Sequence, residues 1–318
     1  MCYHLHKYDR WNTTTKSFDV IKNEIDSAIL RGCNYMDITG GEPTIYPDII
    51  RTIEYAKEKS LASCIITNGI TSVDKIKNII DSGLTDFLVS RHGLKETHNF
   101  ITDYNYAYDK QVEFLDYIVR DIPIRFNCVI TQFNQNDLPA IAREMSEYSP
   151  YVVNFINMNP HYEWGTKSSE TQKVMANLKI VEPHLNEAIS ILEDKNIRVN
   201  VRYYPMCRID KEYWRCIAND LHVVFELYDS FYQRDINCEW DYEIQPKNIE
   251  AHSAWGIRTS KNNEEKSEPC SGCSLQNICG GINKHYHRIS KEIYGELCTP
   301  QDIAVPNDFY YFRKDNAL

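Results

Sequence analysis

Helical and strand periods alternate without interruption from Phe18 to Tyr203, and this alternation constrains the fold more than any single motif. Phe18, Ile21, Ile25 and Ile29 share one helical face, and the strand-like run Tyr35–Thr39 follows. Ile49, Ile50, Ile53 and Ala56 mark the next helix, with Pro47 near its start. Ser63–Thr67 reads as a buried strand, and Val73, Ile76, Ile79 and Ile80 as a helical stripe closed by Gly83. The same rhythm continues through strand Asp86–Ser90, a helix bearing Val112, Leu115, Ile118 and Val119, and strand Arg125–Thr131. Helix Leu138–Met145, strand Val152–Met158, a helix bearing Leu185, Ala188, Ile189 and Leu192, and strand Ile197–Tyr203 complete it. Strict βα alternation builds a parallel sheet wrapped by helices, with right-handed crossovers. Ligands of such sheets sit at the C-terminal strand ends.

Those strand ends are polar. The first run leads into Gly40-Gly41-Glu42-Pro43, the second into Thr67-Asn68-Gly69, the third into Ser90-Arg91-His92-Gly93, and the fourth carries Asn127. Two glycines in succession leave backbone N–H and C=O groups uncovered, so a ligand can approach closely. A glutamate beside them can accept hydrogen bonds from a ligand ammonium group. Any one cluster is equally an ordinary strand-to-loop turn. All of them at the same sheet edge can form one pocket.

After Tyr203 the rhythm stops, and Trp, Tyr and Cys become frequent. The chain has 318 residues, enough for one large domain or one and a half. Its net charge of -10 argues against a broad nucleic-acid surface. No apolar run is long enough to span a membrane, and no signal peptide opens the sequence. Without such a signal, eleven cysteines point to metal ligation rather than disulfides. Cys33, Cys64 and Cys128 sit in apolar periodic segments and read as core residues. Cys270-Ser271-Gly272-Cys273, followed after five residues by Cys279, has the short spacing of a metal site. Cys207 is a candidate fourth ligand, as is Cys298, with Cys216 and Cys238 behind them. The spacing alone fits an iron–sulfur cluster and a four-thiolate zinc equally well. Hydrolase triads, a G-x4-G-K-[ST] loop and an H-E-x2-H helix are not evident.

In this order the strand-end clusters resemble the radical S-adenosylmethionine (radical SAM) enzymes, over residues 2–203. Cys2 with Tyr3 resembles the third cysteine and aromatic of their C-x3-C-x2-C loop. Gly40, Gly41, Glu42 and Pro43 resemble the segment that binds the methionine amino group. Thr67, Asn68 and Gly69 look like the third-strand tip beside the cofactor. Ser90 and His92 resemble the fourth-strand residues near ribose and carboxylate, and Asn127 the fifth-strand ribose contact. Asn157 and Asn159 end the sixth strand, where adenine lies in the family. The resemblance implies an α/β fold, a partial (β/α)6 TIM-like barrel over residues 1–203, with a small Cys-rich extension over 204–318. It implies S-adenosyl-L-methionine and a [4Fe–4S] cluster that cleaves it to a 5′-deoxyadenosyl radical, which abstracts hydrogen from a substrate. A peptide or small-molecule substrate, an electron donor such as flavodoxin or ferredoxin, and a cytoplasmic, oxygen-sensitive protein are expected with it. Neither nucleic acid nor membrane is an expected partner.

The pattern departs from the family at its front. The first two cysteines and the first strand would lie before Met1, and one thiolate cannot hold a cluster that needs about four ligands. The intact remainder favours a misassigned start. The alternative is an inactive barrel serving as a metal-binding or scaffold protein. The C-terminal cysteines resemble the SPASM and twitch auxiliary-cluster extensions, but Asn283 stands where the SPASM type carries a further cysteine. One auxiliary [4Fe–4S] cluster on Cys207, Cys270, Cys273 and Cys279 is expected, and beside such a barrel iron is favoured over zinc. His4 and His6 are expected in solvent, His285 and His287 near the auxiliary motif but not bound. Tyr104–Tyr108 is expected as a surface loop and helix start, while Glu163 and Trp164 lie where they could reach the pocket.

Overall fold

The structure, a computed structural model, describes residues 15–30, 32–158, 172–217, 264–276 and 279–302. Helix α1 (Phe18–Leu30) leads into β1 (Tyr35–Ile38), α2 (Ile49–Glu58), β2 (Ala62–Thr67), α3 (Val73–Asp81) and β3 (Asp86–Ser90). Then come α4 (Lys95–Thr102), α5 (Ala107–Ile118), β4 (Ile124–Ile130), α6 (Leu138–Ser146), β5 (Val152–Asn157), α7 (Leu178–Glu193) and β6 (Arg198–Arg202). The extension contributes β7 (Glu264–Glu265), β8 (Ile282–Asn283) and α8 (Lys284–Tyr294). Strands β1 to β6 form one parallel sheet in sequence order, the architecture of a partial TIM-like barrel. Among the described residues no helix is long and apolar enough to cross a membrane.

Alternation along each strand sorts the side chains. Ile65, Phe87, Val89, Phe126, Cys128, Val153, Phe155, Val199 and Val201 are buried in the core between sheet and helices. The inner face carries a polar set, Tyr35 and Asp37, Asp86 and Ser90, Arg125 and Asn127, Asn154 and Asn200, interspersed with Ile66, Leu88, Val129 and Ile156. At its N-terminal end Arg125 Nη2 donates to Asp37 Oδ1 at 3.1 Å and to Asp86 Oδ1 at 3.2 Å. Tyr35 OH donates to Asp86 at 2.6 Å, and Tyr151 OH also donates to it. Asp86 is thus buried with several donors, as a buried carboxylate must be. This polar cluster lies towards the N-terminal strand ends, opposite the tips that lead to Gly40, Asn68 and Arg91. Burial pushes the Cys128 thiol up to about 12 and raises that of Cys64, so both are inert packing groups.

Two helices carry no stripe that sequence could reveal. In α4 only His98 is buried, and in α8 the buried set is Tyr286, His287, Ile289 and Ser290. Helix α7 begins two turns before its visible stripe and runs through Pro183. Proline there removes one intrahelical bond; the buried Leu178, Val181 and Leu185 on the same face offset that loss. Asn283 is the N-cap of α8, its Oδ1 accepting from His285 N at 2.9 Å and Tyr286 N at 3.2 Å. The rhythm breaks at Tyr203, but packing does not: Tyr204, Met206, Trp214, Leu275, Ile282 and Tyr286 join the barrel's own core.

Candidate active site

The loop after β1 is built around Glu42. Its Oε1 accepts from Thr44 N at 3.1 Å, Thr44 Oγ1 at 2.8 Å and Thr67 Oγ1 at 2.8 Å, and Oε2 accepts from Asn68 N at 2.9 Å. Expected to receive a ligand ammonium, this carboxylate instead spends most of its capacity binding the loop to the end of β2. Only Oε2, with a single bond, retains acceptor capacity. Pro43 opens the short 3-10 turn Pro43–Ile45 that Glu42 caps. Gly40 has a φ of +154°, a region rarely open to L side chains, and no atom lies within 4 Å of the space a Cβ would take. Among the described residues the N–H and C=O groups of Gly40 and Gly41 have no hydrogen-bond partner. The uncovered backbone expected from the sequence is therefore present.

The next strand ends are knitted to this loop. Thr67 Oγ1 accepts from Gly69 N at 3.0 Å, and Asn68 Oδ1 accepts from Ile70 N at 2.7 Å. Gly69 has a φ of +74°, and a Cβ there would sit 2.9 Å from Gln111 Cγ, so only glycine fits. Gln111, which sequence reasoning missed, is fully buried; its Nε2 donates to Asn68 O at 2.7 Å and Ser90 O at 3.0 Å. It locks the tips of β2 and β3 together and also accepts from Arg91 Nε. Arg91 turns away from the rim, stacking 4.3 Å over Tyr108 and reaching Glu144 at 3.3 Å.

His92 and His98 form a connected pair. His92 N donates to His98 Nδ1 at 3.1 Å, and Val129 N donates to His92 Nδ1 at 3.2 Å. Both rings accept at Nδ1, so each carries its proton on Nε2 when neutral. Buried Asn134 supports the pair, donating to His92 O at 2.7 Å and Val129 O at 2.8 Å. Burial holds the His92 imidazolium down to about 4 and that of His98 down to about 3. Above the ordinary histidine value of 6.5 neither folded nor unfolded chain binds this proton. Below it the unfolded chain does, so stability falls as pH drops from about 6.5 towards about 3. The urea midpoint is expected to decline between pH 7 and pH 5, and His98→Asn, which keeps an acceptor for His92 N, should make that decline shallower. An unchanged slope would contradict this.

Ser90, which ends β3, and His92 just beyond it lie on the same C-terminal side of the sheet as Gly40 and Gly41, with Asn127 paired to Ser90 in register, but Asn157 does not join them. It lies on the opposite face of β5, 1% exposed, with Nδ2 donating to Tyr203 O at 3.1 Å and Tyr286 beside it. Midway along the inner face Asn127 is joined instead by Asn154 and Asn200, which only the strand register reveals. Cys2, Tyr3, His4, His6, Asn159, Glu163, Trp164 and Cys238 lie outside the described residues.

A second constellation sits in the extension. Cys207, Cys270, Cys273, Cys279 and Cys298 line one cavity. Cys216 is elsewhere, with Sγ 3.6 Å from Glu193. Three sulfurs have donors at hand: Gln301 N lies 3.3 Å from Cys273 Sγ, Gly281 N 3.4 Å from Cys279 Sγ, and Ser267 Oγ 3.6 Å from Cys270 Sγ. A hydrogen bond from Cys298 holds the Cys207 thiol down to about 7, whereas burial pushes Cys279 up to about 11. Among the described residues no three or more His, Cys, Asp or Glu side chains converge to hold a single metal ion.

Residues 1–145 match the family model for the radical SAM superfamily. That stretch, 145 of the 318 residues and most of the barrel, is similar to the radical SAM superfamily. PqqA peptide cyclase of Bradyrhizobium diazoefficiens is 23% identical over 174 residues, 54% of this chain and 44% of that protein. A GTP 3',8-cyclase of Clostridium perfringens is 26% identical over 200 residues, 59% of this chain and 58% of that protein. The chain thus aligns with less than two thirds of either relative. The solved structure described as native anSMEcpe with bound AdoMet and Cp18Cys peptide is 16% identical, with a TM-score of 0.58. It covers 96% of this chain and 88% of that one. At that identity the likeness concerns the fold, and it runs through the extension as well as the barrel.

Proposed function

We infer that this chain is a radical SAM enzyme that binds S-adenosylmethionine across the C-terminal rim of its barrel and takes a hydrogen atom from a peptide. The observation that carries the reading is the shared rim itself. An uncovered Gly40–Gly41 backbone, Ser90, His92 and Asn127 lie towards the C-terminal side of the sheet, while a polar cluster occupies the N-terminal strand ends. These residues fit the cofactor. Free backbone groups and the remaining capacity of Glu42 Oε2 suit its amino group, the Nε2–H of His92 suits its carboxylate, and Ser90 with Asn127 suit its ribose. Cys2 would contribute to the [4Fe–4S] cluster that, when bound, supplies the electron for homolysis to methionine and a 5′-deoxyadenosyl radical. The protein's part is to orient the sulfonium and hold the loop after β1 rigid.

Beside such a barrel an auxiliary [4Fe–4S] cluster is the favoured occupant of the cysteine cavity, over a four-thiolate zinc that the same residues would also suit. Donors aimed at Cys273 and Cys279 would further steady a bound cluster.

A peptide substrate is favoured because the likeness that extends through the extension is to a protein whose description includes a bound peptide, and PqqA peptide cyclase acts on one. The GTP 3',8-cyclase match keeps a small-molecule substrate as the second reading. Deuterium transfer separates them. Incubated with fractions from deuterated cells, the enzyme should move deuterium into 5′-deoxyadenosine from the peptide fraction. Transfer only from the small-metabolite fraction would replace the peptide reading with the second one.

A further inference from the structure

On the inner face Ser90, Asn127, Asn154 and Asn200 stand at one level, because the register pairs Ser90 with Asn127, Asn127 with Asn154, and Asn154 with Asn200. The three amides are joined in series. Asn200 Nδ2 donates to Asn154 Oδ1 at 2.9 Å, and Asn154 Nδ2 donates to Asn127 Oδ1 at 2.8 Å. A carboxamide has one accepting end and one donating end, and rotation about its last torsion exchanges them at little intrinsic cost. The bond from Asn154 occupies the accepting end of Asn127. Its Nδ2 is left facing the barrel interior and donates to no described group. Strand pairing is already secured by the backbone, so the ladder's distinctive effect is to set which end of Asn127 is presented.

We propose that Asn154 and Asn200 are positioning residues that lock the Asn127 amide with its NH2 towards the bound nucleoside, making this a subsite for a sugar oxygen. The inference rests on the cofactor reading above. Asn200 reaches Asn127 through Asn154, so along this route the two act in series.

The test is anaerobic equilibrium dialysis of the reconstituted protein with S-adenosylmethionine and with its 2′,3′-dideoxyribose analogue. Wild type should prefer the ribose form by about tenfold, the worth of a good hydrogen bond. Asn154→Leu should cut that preference to about twofold while leaving dideoxy binding within about twofold of wild type. Asn200→Leu, on the outer strand β6, should lower the preference less, and it serves if Asn154→Leu does not fold. The double variant should be no worse than Asn154→Leu, because residues in series are not additive. An unchanged preference in both single variants would overturn the proposal, as would equal losses for both ligands or additive losses in the double variant. A wild type that binds neither ligand would remove the cofactor reading itself; one that binds both equally removes only the ladder's role.

Discussion

Replacing Glu42 with alanine should raise the dissociation constant for S-adenosylmethionine by about a hundredfold or more and lower stability by about 2–4 kcal/mol. Four donors lose their acceptor at once: two in the loop after β1, from Thr44, and two on the end of β2, from Thr67 and Asn68. Bonds to a charged acceptor are worth about 1.5–3 kcal/mol each, and the low end applies because Glu42 is only half-buried and water can replace part of the loss. Binding suffers along with stability because the Gly40–Gly41 backbone loses its fixed position, so a ligand must order the loop as it binds. Glu42→Gln separates the contributions. The Thr44 and Thr67 hydroxyls can reverse and accept from a new NH2, but the N–H groups of Thr44 and Asn68 cannot. One backbone donor is then left facing another donor whichever way the amide turns, and a loss of about tenfold is expected. Calorimetric titration measures both variants, and thermal unfolding followed by circular dichroism measures stability. An alanine variant that binds within threefold of wild type would mean that Glu42 does not hold the site together.

The second large effect concerns the cysteine cavity. Cys273→Ala should remove about four iron and four sulfide per chain and lower the unfolding temperature, because cluster binding would add directly to the folding free energy of the extension. Cys273 is 6% exposed and its sulfur takes the Gln301 N–H, which fixes it on the cavity wall. Cys207 and Cys298 differ from it. They are hydrogen-bonded neighbours on the same cavity, and five sulfurs line a space where a [4Fe–4S] cluster would take four. Either Cys207→Ser or Cys298→Ser alone should keep most of the auxiliary iron, whereas the double variant should lose it. Iron and acid-labile sulfide analysis on anaerobically prepared protein gives the answer. One tightly held zinc with no iron–sulfur absorbance would show that the cavity serves a structural ion.

Much of this architecture was legible in the sequence. The Ile76 and Ile79 stripe, the short run Asp86–Ser90 and the polar strand ends each follow from local period and turn chemistry. Their common rim follows from parallel connectivity. What stayed hidden depended on register or on side chains meeting at long range. Asn157 ends a strand as expected, but a period of two places it on the face away from Asn154, and only pairing with β4 and β6 shows which asparagine faces inward. Glu42 reads as a ligand contact until Thr67 and Asn68 are seen to donate to it. Gln111 and Asn134 carry no motif at all; each matters because it is buried between two strand tips and must satisfy its amide there. The Arg125 cluster escaped notice for the same reason, since Asp37, Asp86 and Arg125 are far apart in sequence and meet only when the barrel closes.

The central claim is that this rim holds a sulfonium cofactor for reductive cleavage. Its most direct test is chromatographic detection of 5′-deoxyadenosine after anaerobic iron–sulfide reconstitution of the polypeptide as its own cells make it, with S-adenosylmethionine and a strong reductant. The account predicts product from the wild type and none from Cys2→Ala. No product from any preparation, or the same yield from both proteins, would contradict it.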